Sequence, residues 1–226
     1  MLRPLAAPES AVIRFAVAFA DVLQFPEKPA TIAVDIPIGF PERIEGSGRS
    51  CERLVRKLLG PRQSSVFSTP ARAVVHEEDY REGCALALTL SEPPRKISKQ
   101  AFNLFPKIRE LDALLTPELN QRIYECHPEV AFWVLNGCAP ASLPKKVKSR
   151  PNPDGLEERR KLLVNAGYDA AFLSPSSKLP GRAGVDDLID AAVCSWSAAR
   201  IAYGEAVSFP DPPEWDAQDN RMAITV

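Results

Sequence analysis

The sequence lacks the features of a membrane protein and of a strongly charged surface. Its formal net charge is −1 over 226 residues, so no overall field attracts nucleic acid or an anionic lipid surface. No run approaches the about 18 uninterrupted apolar residues typical of a membrane-spanning helix. The apolar stretch 11–23 is interrupted by Arg14 and Asp21 and carries no cleavage signature of a signal peptide. We therefore expect a cytoplasmic protein with no membrane partner.

Motifs for zinc, disulfides and nucleotide-binding loops are also missing. The five cysteines are odd in number, widely spaced and without a Cys-x-x-Cys pair, which indicates free thiols in a reducing compartment. Neither GxxxxGK nor GxGxxG occurs. Proline, by contrast, is abundant, since its 22 residues are roughly twice the average usage and are spread through the connections. This distribution predicts long ordered loops rather than a disordered tract.

The hydrophobic patterns predict strands that alternate with helices, and hence an α/β sheet in a single domain spanning 1–226. Strands are predicted at 11–19, 31–36, the start of 121–137 and the C-terminal tail. Helices are predicted at 47–60, 75–90, 98–115, the second half of 121–137, 156–167 and 185–204. Residues 1–10 and 144–155 are expected to be loop or poorly ordered.

An aspartate follows the second predicted strand in ATIAVDIPIGFPE, residues 30–42. Aspartate disfavours strands and costs free energy when it is buried unpaired, so Asp35 needs a local reason. One interpretation is a turn aspartate that bonds its own backbone. The other is a ligand-binding carboxylate, because ligands of open α/β sheets gather at the carboxyl ends of strands.

Three aspartates open the last predicted helix in VDDLIDAA. Asp187 and Asp190 are three residues apart, and Asp186 and Asp190 four apart, so they share or border one helix face. The helix dipole favours acids in a first turn, which makes capping one explanation. Because the helix continues with the small and apolar AAVCSWSAARIA, the other explanation is a bound cation that relieves the cost of these carboxylates.

A further strand-to-helix junction carries Glu125, His127 and Glu129 in YECHPEV. Glu129 lies in the first helical turn, where an acid is again favoured. His127 is either a ligand or proton carrier, or a loop histidine with local hydrogen bonds. Together with the aspartates, these junctions offer hard oxygen ligands suited to Mg²⁺ or Mn²⁺ rather than to zinc.

Basic and hydroxyl residues in or near loops are candidates for binding phosphate or nucleic acid. Arginine forks suit phosphate oxygens, although a solvated charged face is the competing interpretation of the arginines on the 47–60 helix. The basic run at 145–150 is interpreted as a mobile surface loop. The candidates are Arg49, Arg53, Arg62, Ser64, Ser65, Lys99 and Lys107.

Several phrases occur in order along the chain: VDIPIGFPE, RSCERLVRKLLGPRQSSVFSTPAR, SKQAFNLFPKIRELD, ECHPEVAFW, GLEERRKLL and DDLIDAAVCSWSAARI. They resemble the domain-of-unknown-function 429 family, which is described as predicted ribonuclease H-like nucleases. The resemblance implies a ribonuclease H-like mixed sheet flanked by helices. Folds of this kind place carboxylates around two divalent ions that cleave phosphodiester bonds.

The resemblance also implies roles for the acids. The implied catalytic carboxylates are Asp35, Glu129, Asp187 and Asp190, and the implied metal ligands are Asp35, Asp186, Asp187 and Asp190. His127 is the candidate for proton transfer. One departure is that this chain has no opening GVDG-like strand, whose aspartate is expected to bridge both ions. Either the start of the chain has been placed too late, or the protein has lost this strand and with it a metal ligand. If the strand is lost, we expect Mg²⁺ or Mn²⁺ to bind weakly, and another chain or a rearranged sheet to fill the place of that strand.

Two functions follow from these expectations. The first is a divalent-metal-dependent nuclease or phosphodiesterase, which would hold nucleic acid only transiently because the net charge is near zero. The second is a non-catalytic ribonuclease H-like scaffold or nucleotide-binding protein with a depleted metal site. Fold resemblance alone does not choose between them.

Overall fold

Helices and short strands alternate along the chain, which confirms the predicted α/β class. The computed structural model describes residues 1–148, 150–174, 179, 181 and 183–226. The helices are α1 Phe19–Leu23, α2 Ser50–Leu59, α3 Arg72–Val75, α4 Tyr80–Thr89, α5 Lys99–Phe102, α6 Phe105–Asp112, α7 Pro117–Asn120, α8 Pro128–Leu135, α9 Pro153–Asn165 and α10 Val185–Tyr203. The strands are β1 Ile32–Val34, β2 Ile44–Glu45, β3 Ser91–Glu92, β4 Ile123–Glu125, β5 Lys146–Val147, β6 Arg150–Pro151, β7 Ser208–Trp215 and β8 Arg221–Thr225. Short 3₁₀ helices cover Pro8–Ser10 and Gly60–Ser65.

The parallel pair of β1 and β4 positions the candidate site. Ile32 lies opposite Ile123, and Val34 lies opposite Glu125. Because the two strands run in the same direction, their carboxyl ends meet at one edge, where Asp35 follows β1 and α8 begins shortly after β4. Helix α10 packs against β1 and α8, and α2 packs against α8, β7 and β8. Elsewhere in the described chain, β2 pairs with β3, β5 with β6 and β7 with β8.

Strand β1 has one unpaired edge. Ile32 donates its amide hydrogen to the carbonyl of Arg122, and the carbonyl of Val34 accepts one from Cys126, with N···O distances of 2.8 Å in both cases. In a parallel ladder the intervening residue points the opposite way, so the backbone groups of Ala33 face away from β4. Within the described residues no further strand pairs with this edge.

Two large apolar clusters hold the helices around the strands, and a smaller third one packs Ile38 and Leu111 against Ile32 of β1 and Ile123 of β4. Burial of each large apolar side chain contributes about 1.5–3 kcal/mol, so these clusters carry much of the stability. The first cluster joins α2, α8, α9 and α10 to β8 and includes Val55, Leu59, Val130, Phe132, Leu163, Ile189, Val193 and Ile224. The second joins β2, α3, α4 and α6 and includes Ile44, Val74, Val75, Ala87, Ile97, Phe105 and Ile108.

The strand predicted at 11–19 is wrong. Val12 makes an isolated antiparallel bridge with Leu2, and α1 already begins at Phe19. Phe15 and Val17 remain 55% and 76% exposed. A strand needs a neighbour that supplies ladder hydrogen bonds, and this segment instead lines a cavity whose other lining includes β1.

Two other predictions need correction, and one strand was missed. The helix predicted at 75–90 begins only at Tyr80, because the Asp79 carboxylate caps it by accepting two backbone amide hydrogens. The stretch 144–155 holds the β5–β6 pair and the start of α9, so it is not loop throughout. Strand β7 was not predicted because its three prolines are typical of turns or sheet edges, and it pairs with β8 through an irregular register.

The cysteines and the helix lengths agree with the expectations from composition. All five cysteines are free thiols, with Cys138 exposed and the other four buried. Over the residues that the structure describes, no helix is both long and apolar enough to cross a bilayer. The 19-residue α10, for example, carries Asp186, Asp187 and Asp190 in its first two turns.

Candidate functional site

A cavity of about 870 Å³ lies between the first 35 residues of the chain and α10. Its lining is mainly apolar but includes Asp35, Asp187 and Asp190. Asp35 comes from the carboxyl end of β1, and the other two come from the first turns of α10. The structure therefore brings the strand-end aspartate and two of the helix aspartates to the same cavity.

Asp35 and Asp190 carry the most perturbed carboxylates of this cavity. Burial raises the pKa of Asp35 to about 6, and the Lys145 ammonium opposes this shift. The residue is exposed to solvent by its surface area, yet the surrounding protein still desolvates its carboxylate. Burial also raises the pKa of Asp190 to about 6, with Lys145 opposing and the charges of Asp35 and Glu129 adding repulsion. Both acids are mainly ionised at pH 7, where a cation would be favoured.

Two lysines from the β5–β6 region pair with the aspartates of α10. The Lys145 ammonium donates a hydrogen bond to Asp190 Oδ2, and its side chain is 20% exposed. Lys146 Nζ lies 2.8 Å from Asp186 Oδ2. Lys145 and Lys146 are thus held against the acids, whereas Lys148 and Arg150 of the same basic run are exposed to solvent. Sequence reasoning missed these lysines, because nothing local to residues 145–146 indicates a partner forty residues later.

The remaining α10 acids have separate roles. Asp187 Oδ2 accepts the amide hydrogen of Gly184 at 2.8 Å, which is the capping interaction that its position allows. Asp186 is buried, and burial by itself would raise the pKa of its carboxyl group. The hydrogen bond and the charge of Lys146 outweigh this effect, so the pKa of Asp186 is lowered. Asp190 Oδ1, in contrast, is a buried oxygen without a hydrogen-bond partner among the described residues. Asp190 is therefore the helix acid most available to a ligand.

Glu129 is paired rather than free. Its two carboxylate oxygens accept hydrogen bonds from Arg159 Nε at 2.9 Å and Nη2 at 2.6 Å. Arg159 is fully buried and also donates to the carbonyls of Leu143 and Gly155. This bidentate pair connects α8 to α9 and gives Glu129 a structural role. The charge of Glu129 still acts on Asp190, whose pKa it raises.

His127 lies at the start of α8, beside the acids. Its Nε2 is 3.3 Å from the carbonyl oxygen of Ser65, a contact that assigns the ring proton to Nε2. Nδ1 is buried and has no partner in the described part of the chain. Burial lowers the pKa of His127, while the charges of Glu129, Glu125 and Asp190 oppose the shift. The ring is therefore neutral at pH 7 and presents an unprotonated Nδ1.

Arg49, a predicted phosphate ligand, is buried and fully engaged. Its guanidinium donates to Glu125 at 2.6 and 2.9 Å and to Glu52 at 2.9 Å. It also donates to the carbonyls of Ile38 and Gly39 at 2.8 and 3.1 Å. These contacts hold the turn that follows Asp35, so Arg49 orients the site. Its side chain is only 1% exposed and is therefore out of reach of a phosphate.

The other phosphate candidates near α2 lie outside the acidic cavity. Arg53 donates to the carbonyl oxygens of Glu45 and Gly48. Arg62, Ser64 and Ser65 belong to the 3₁₀ helix that follows α2. This helix approaches the acidic region through the Ser65 carbonyl, which contacts His127 as described above.

Lys99 and Lys107 lie on α5 and α6, beside the second apolar cluster. Lys99 Nζ stacks over the rings of Tyr80 and Phe102, at 4.3 and 4.9 Å from their centroids. Lys107 Nζ bonds the carbonyl of Val17 and the carboxylate of Glu110, each at 2.7 Å. The structure does not bring either lysine to the aspartates.

The donor set suits a weakly held magnesium or manganese ion. Over the described residues, no three histidine, cysteine or acidic side chains form a ready-made metal cluster. Mg²⁺, however, is commonly held by one or two carboxylates, with water and substrate phosphates completing its octahedron. Asp35 and Asp190, which line one cavity and are both destabilised as anions, fit such a two-carboxylate site.

Comparison with known proteins gives one match. The model of a family described as "Protein of unknown function (DUF429)" matches residues 5–215, which is most of the chain and includes every residue of the acidic site. No curated protein and no solved structure is significantly similar to the chain.

Proposed function

The chain belongs to the DUF429 family, and from its acidic cavity we propose that it is a divalent-metal-dependent phosphodiesterase, of nuclease type, with a ribonuclease H-like fold. The observation that supports this proposal is that Asp35 and Asp190 line one cavity and that the pKa of each is raised to about 6. Carboxylates placed at such a cost are typical of functional sites. The parallel β1–β4 pair with α10 packed on it is compatible with part of a ribonuclease H-like sheet.

Asp35 and Asp190 are the residues that would hold the ion. A bound Mg²⁺ or Mn²⁺ supplies Lewis acidity and an activated water for phosphodiester hydrolysis. Lys145, displaced from Asp190, would be free to bind a phosphate oxygen of the substrate. His127 offers its unprotonated Nδ1 as a proton acceptor beside the acids. Arg49 keeps Asp35 in place by fixing the turn after β1.

The test is cleavage of labelled single- and double-stranded RNA and DNA in the presence of Mn²⁺. Asp35→Asn and Asp190→Asn should each lower the rate by roughly 100-fold or more, because loss of even outer groups of a metal site costs up to that factor. Asp211→Asn is the matched control, since Asp211 is exposed on β7 and makes no ion pair with a described residue. Cleavage that all three variants retain would identify a contaminating nuclease and refute the proposal.

A second candidate function is a non-catalytic scaffold or nucleotide-binding protein. The observation that favours it is that Lys145 and Lys146 already neutralise Asp190 and Asp186. In such a protein the ammonium groups of Lys145 and Lys146 would permanently take the place of the metal ions. Absence of cleavage, together with nucleotide binding that does not depend on Mn²⁺, would favour this function over the first.

A further inference from the structure

A second cavity, of about 230 Å³, lies on the side of the molecule formed by β2, β3 and the loop after the 3₁₀ helix. No described residue lines both this cavity and the acidic one. One part of its lining is apolar and comes from Ile44, Phe67, Ala87, Leu90 and Ile97. Its volume lies below the roughly 300–1,000 Å³ of pockets for drug-sized ligands, which favours a small ligand.

Thr69 gives this cavity an unsatisfied hydrogen-bonding group. The residue is 1% exposed, and its hydroxyl has no hydrogen-bond partner among the residues described. Its position is fixed, because its backbone amide donates to both oxygens of the Glu52 carboxylate at 3.1 Å. Buried hydroxyls in native proteins are nearly always bonded, so an orphaned one that lines a cavity points to a bound partner.

The same cavity is bordered by positive charge. Arg95 and Lys96 line it, both are exposed, and neither forms an ion pair with a described acid. Arg56 donates to the hydroxyl of Ser68, the residue before Thr69, and lies 3.7 Å from the Glu52 carboxylate. Burial lowers the pKa of Arg56, Glu52 opposes this shift, and the charges of Arg53 and Arg95 add to it. Grouping cations against their mutual repulsion is favourable when an anion binds between them.

We propose that this cavity binds a small organic anion, such as a carboxylate or a phosphate monoester with an apolar body. The anionic group accepts hydrogen bonds from Arg95, Lys96 and the Thr69 hydroxyl. The apolar body packs against Phe67 and Leu90. This site is independent of the proposed phosphodiesterase chemistry, since it shares neither residues nor a metal with the acidic cavity.

Calorimetry with phenyl phosphate and with benzoate, in EDTA, tests the proposal. At least one of these probes should bind more tightly than inorganic phosphate and than the neutral benzyl alcohol. Arg95→Gln and Lys96→Gln should each weaken that probe by about tenfold, as expected for loss of a charged hydrogen bond, while Arg81→Gln on α4 should not. Asp35→Asn should leave binding unchanged, which separates this result from any failure of the phosphodiesterase proposal.

Thr69→Val supplies a test that does not depend on the surface charges. This substitution removes the orphaned hydroxyl while nearly keeping the side-chain volume. It should leave the Tm of the free protein unchanged or raise it, and it should weaken the probe by about tenfold. The proposal is overturned if neither probe binds at millimolar concentration, or if benzyl alcohol binds as tightly. It is overturned equally if Thr69→Val lowers the Tm of the free protein by several degrees, since the hydroxyl would then already be bonded.

Discussion

Four carboxylates lie around the carboxyl ends of β1 and β4, and they fall into two pairs that differ in their hydrogen-bond partners. Burial raises the pKa of Glu125 as well, with Arg49 opposing the shift, so the pairs are distinguished by their partners and not by the direction of this shift. Glu125 and Glu129 each receive two hydrogen bonds from a buried arginine, Arg49 or Arg159. Asp35 and Asp190 share the field of Lys145, and the pKa of each is raised to about 6. The glutamates are matched by geometry that the fold itself supplies, whereas the aspartates are left short of positive charge. This difference in partners distinguishes carboxylates that stabilise the fold from carboxylates that are candidates for binding a ligand.

The largest expected effect comes from breaking a matched pair. Arg49→Met removes the guanidinium but keeps much of its volume, and it leaves Glu52 and Glu125 buried without their partner. The free energy of unfolding in urea should fall by about 3–5 kcal/mol, the cost of an uncompensated buried charge. Arg81→Met is the control, because Arg81 is exposed, and it should change stability by no more than about 0.5 kcal/mol. If Arg49→Met lowers the free energy of unfolding by less than about 1 kcal/mol, the ion pair of Arg49 with the glutamates does not stabilise the fold, and the distinction between the glutamates and the aspartates is wrong.

The next effect is a pH dependence of stability that comes from Asp190, to which Glu125 adds because burial raises its pKa too. A carboxyl whose pKa rises on folding binds its proton more tightly in the native state, so it stabilises the protein at low pH and less so as pH rises. For Asp190 this loss should run from about pH 4 to about pH 6 and reach at most about 3 kcal/mol. Asp190→Asn should abolish it.

The measurement is the difference in unfolding free energy between the unaltered chain and Asp190→Asn at each pH. His127 acts in the opposite sense, because burial lowers its pKa and protonation then costs stability as pH falls. It acts in both proteins, so the difference reports Asp190 together with the loss of its charge beside His127. A difference that stays constant from pH 4 to 7 would mean that Asp190 is not destabilised as an anion.

The smallest effect concerns the competition between Lys145 and a metal ion. Mn²⁺ should bind the unaltered chain weakly, because two carboxylates and a resident lysine make a poor site. Lys145→Gln should tighten Mn²⁺ binding by about tenfold, equivalent to ~1.4 kcal/mol, by freeing Asp190. Lys146→Gln, which frees Asp186 instead, should have a smaller effect. Calorimetry that finds tight binding of two Mn²⁺ ions to the unaltered chain would contradict this account.

Local sequence patterns were sufficient for the main elements of the site. The run before Asp35 indicated a strand, the spacing of Asp187 and Asp190 indicated one helix face, and Gly204 indicated where α10 ends. The strand expected at 11–19 failed for a non-local reason. Its β-branched residues do favour an extended backbone, but no neighbouring strand in the described chain completes the ladder.

The partners of the charged residues could not be read from local patterns. Arg49 looked like one member of an exposed arginine stripe, yet it is buried between Glu52 and Glu125, the second of which is distant in sequence. Lys145 looked like part of a solvated loop, yet it contacts Asp190.

Periodicity and chain-breaking residues act over a few neighbours, so the order of amino acids alone was enough to establish the α/β class, the strand that ends at Asp35 and the acidic start of α10. Ion pairs and cavities depend on where distant segments meet in space. The matching of glutamates to arginines, the shortage of positive charge at Asp35 and Asp190, and the unbonded hydroxyl of Thr69 were therefore settled by three-dimensional packing.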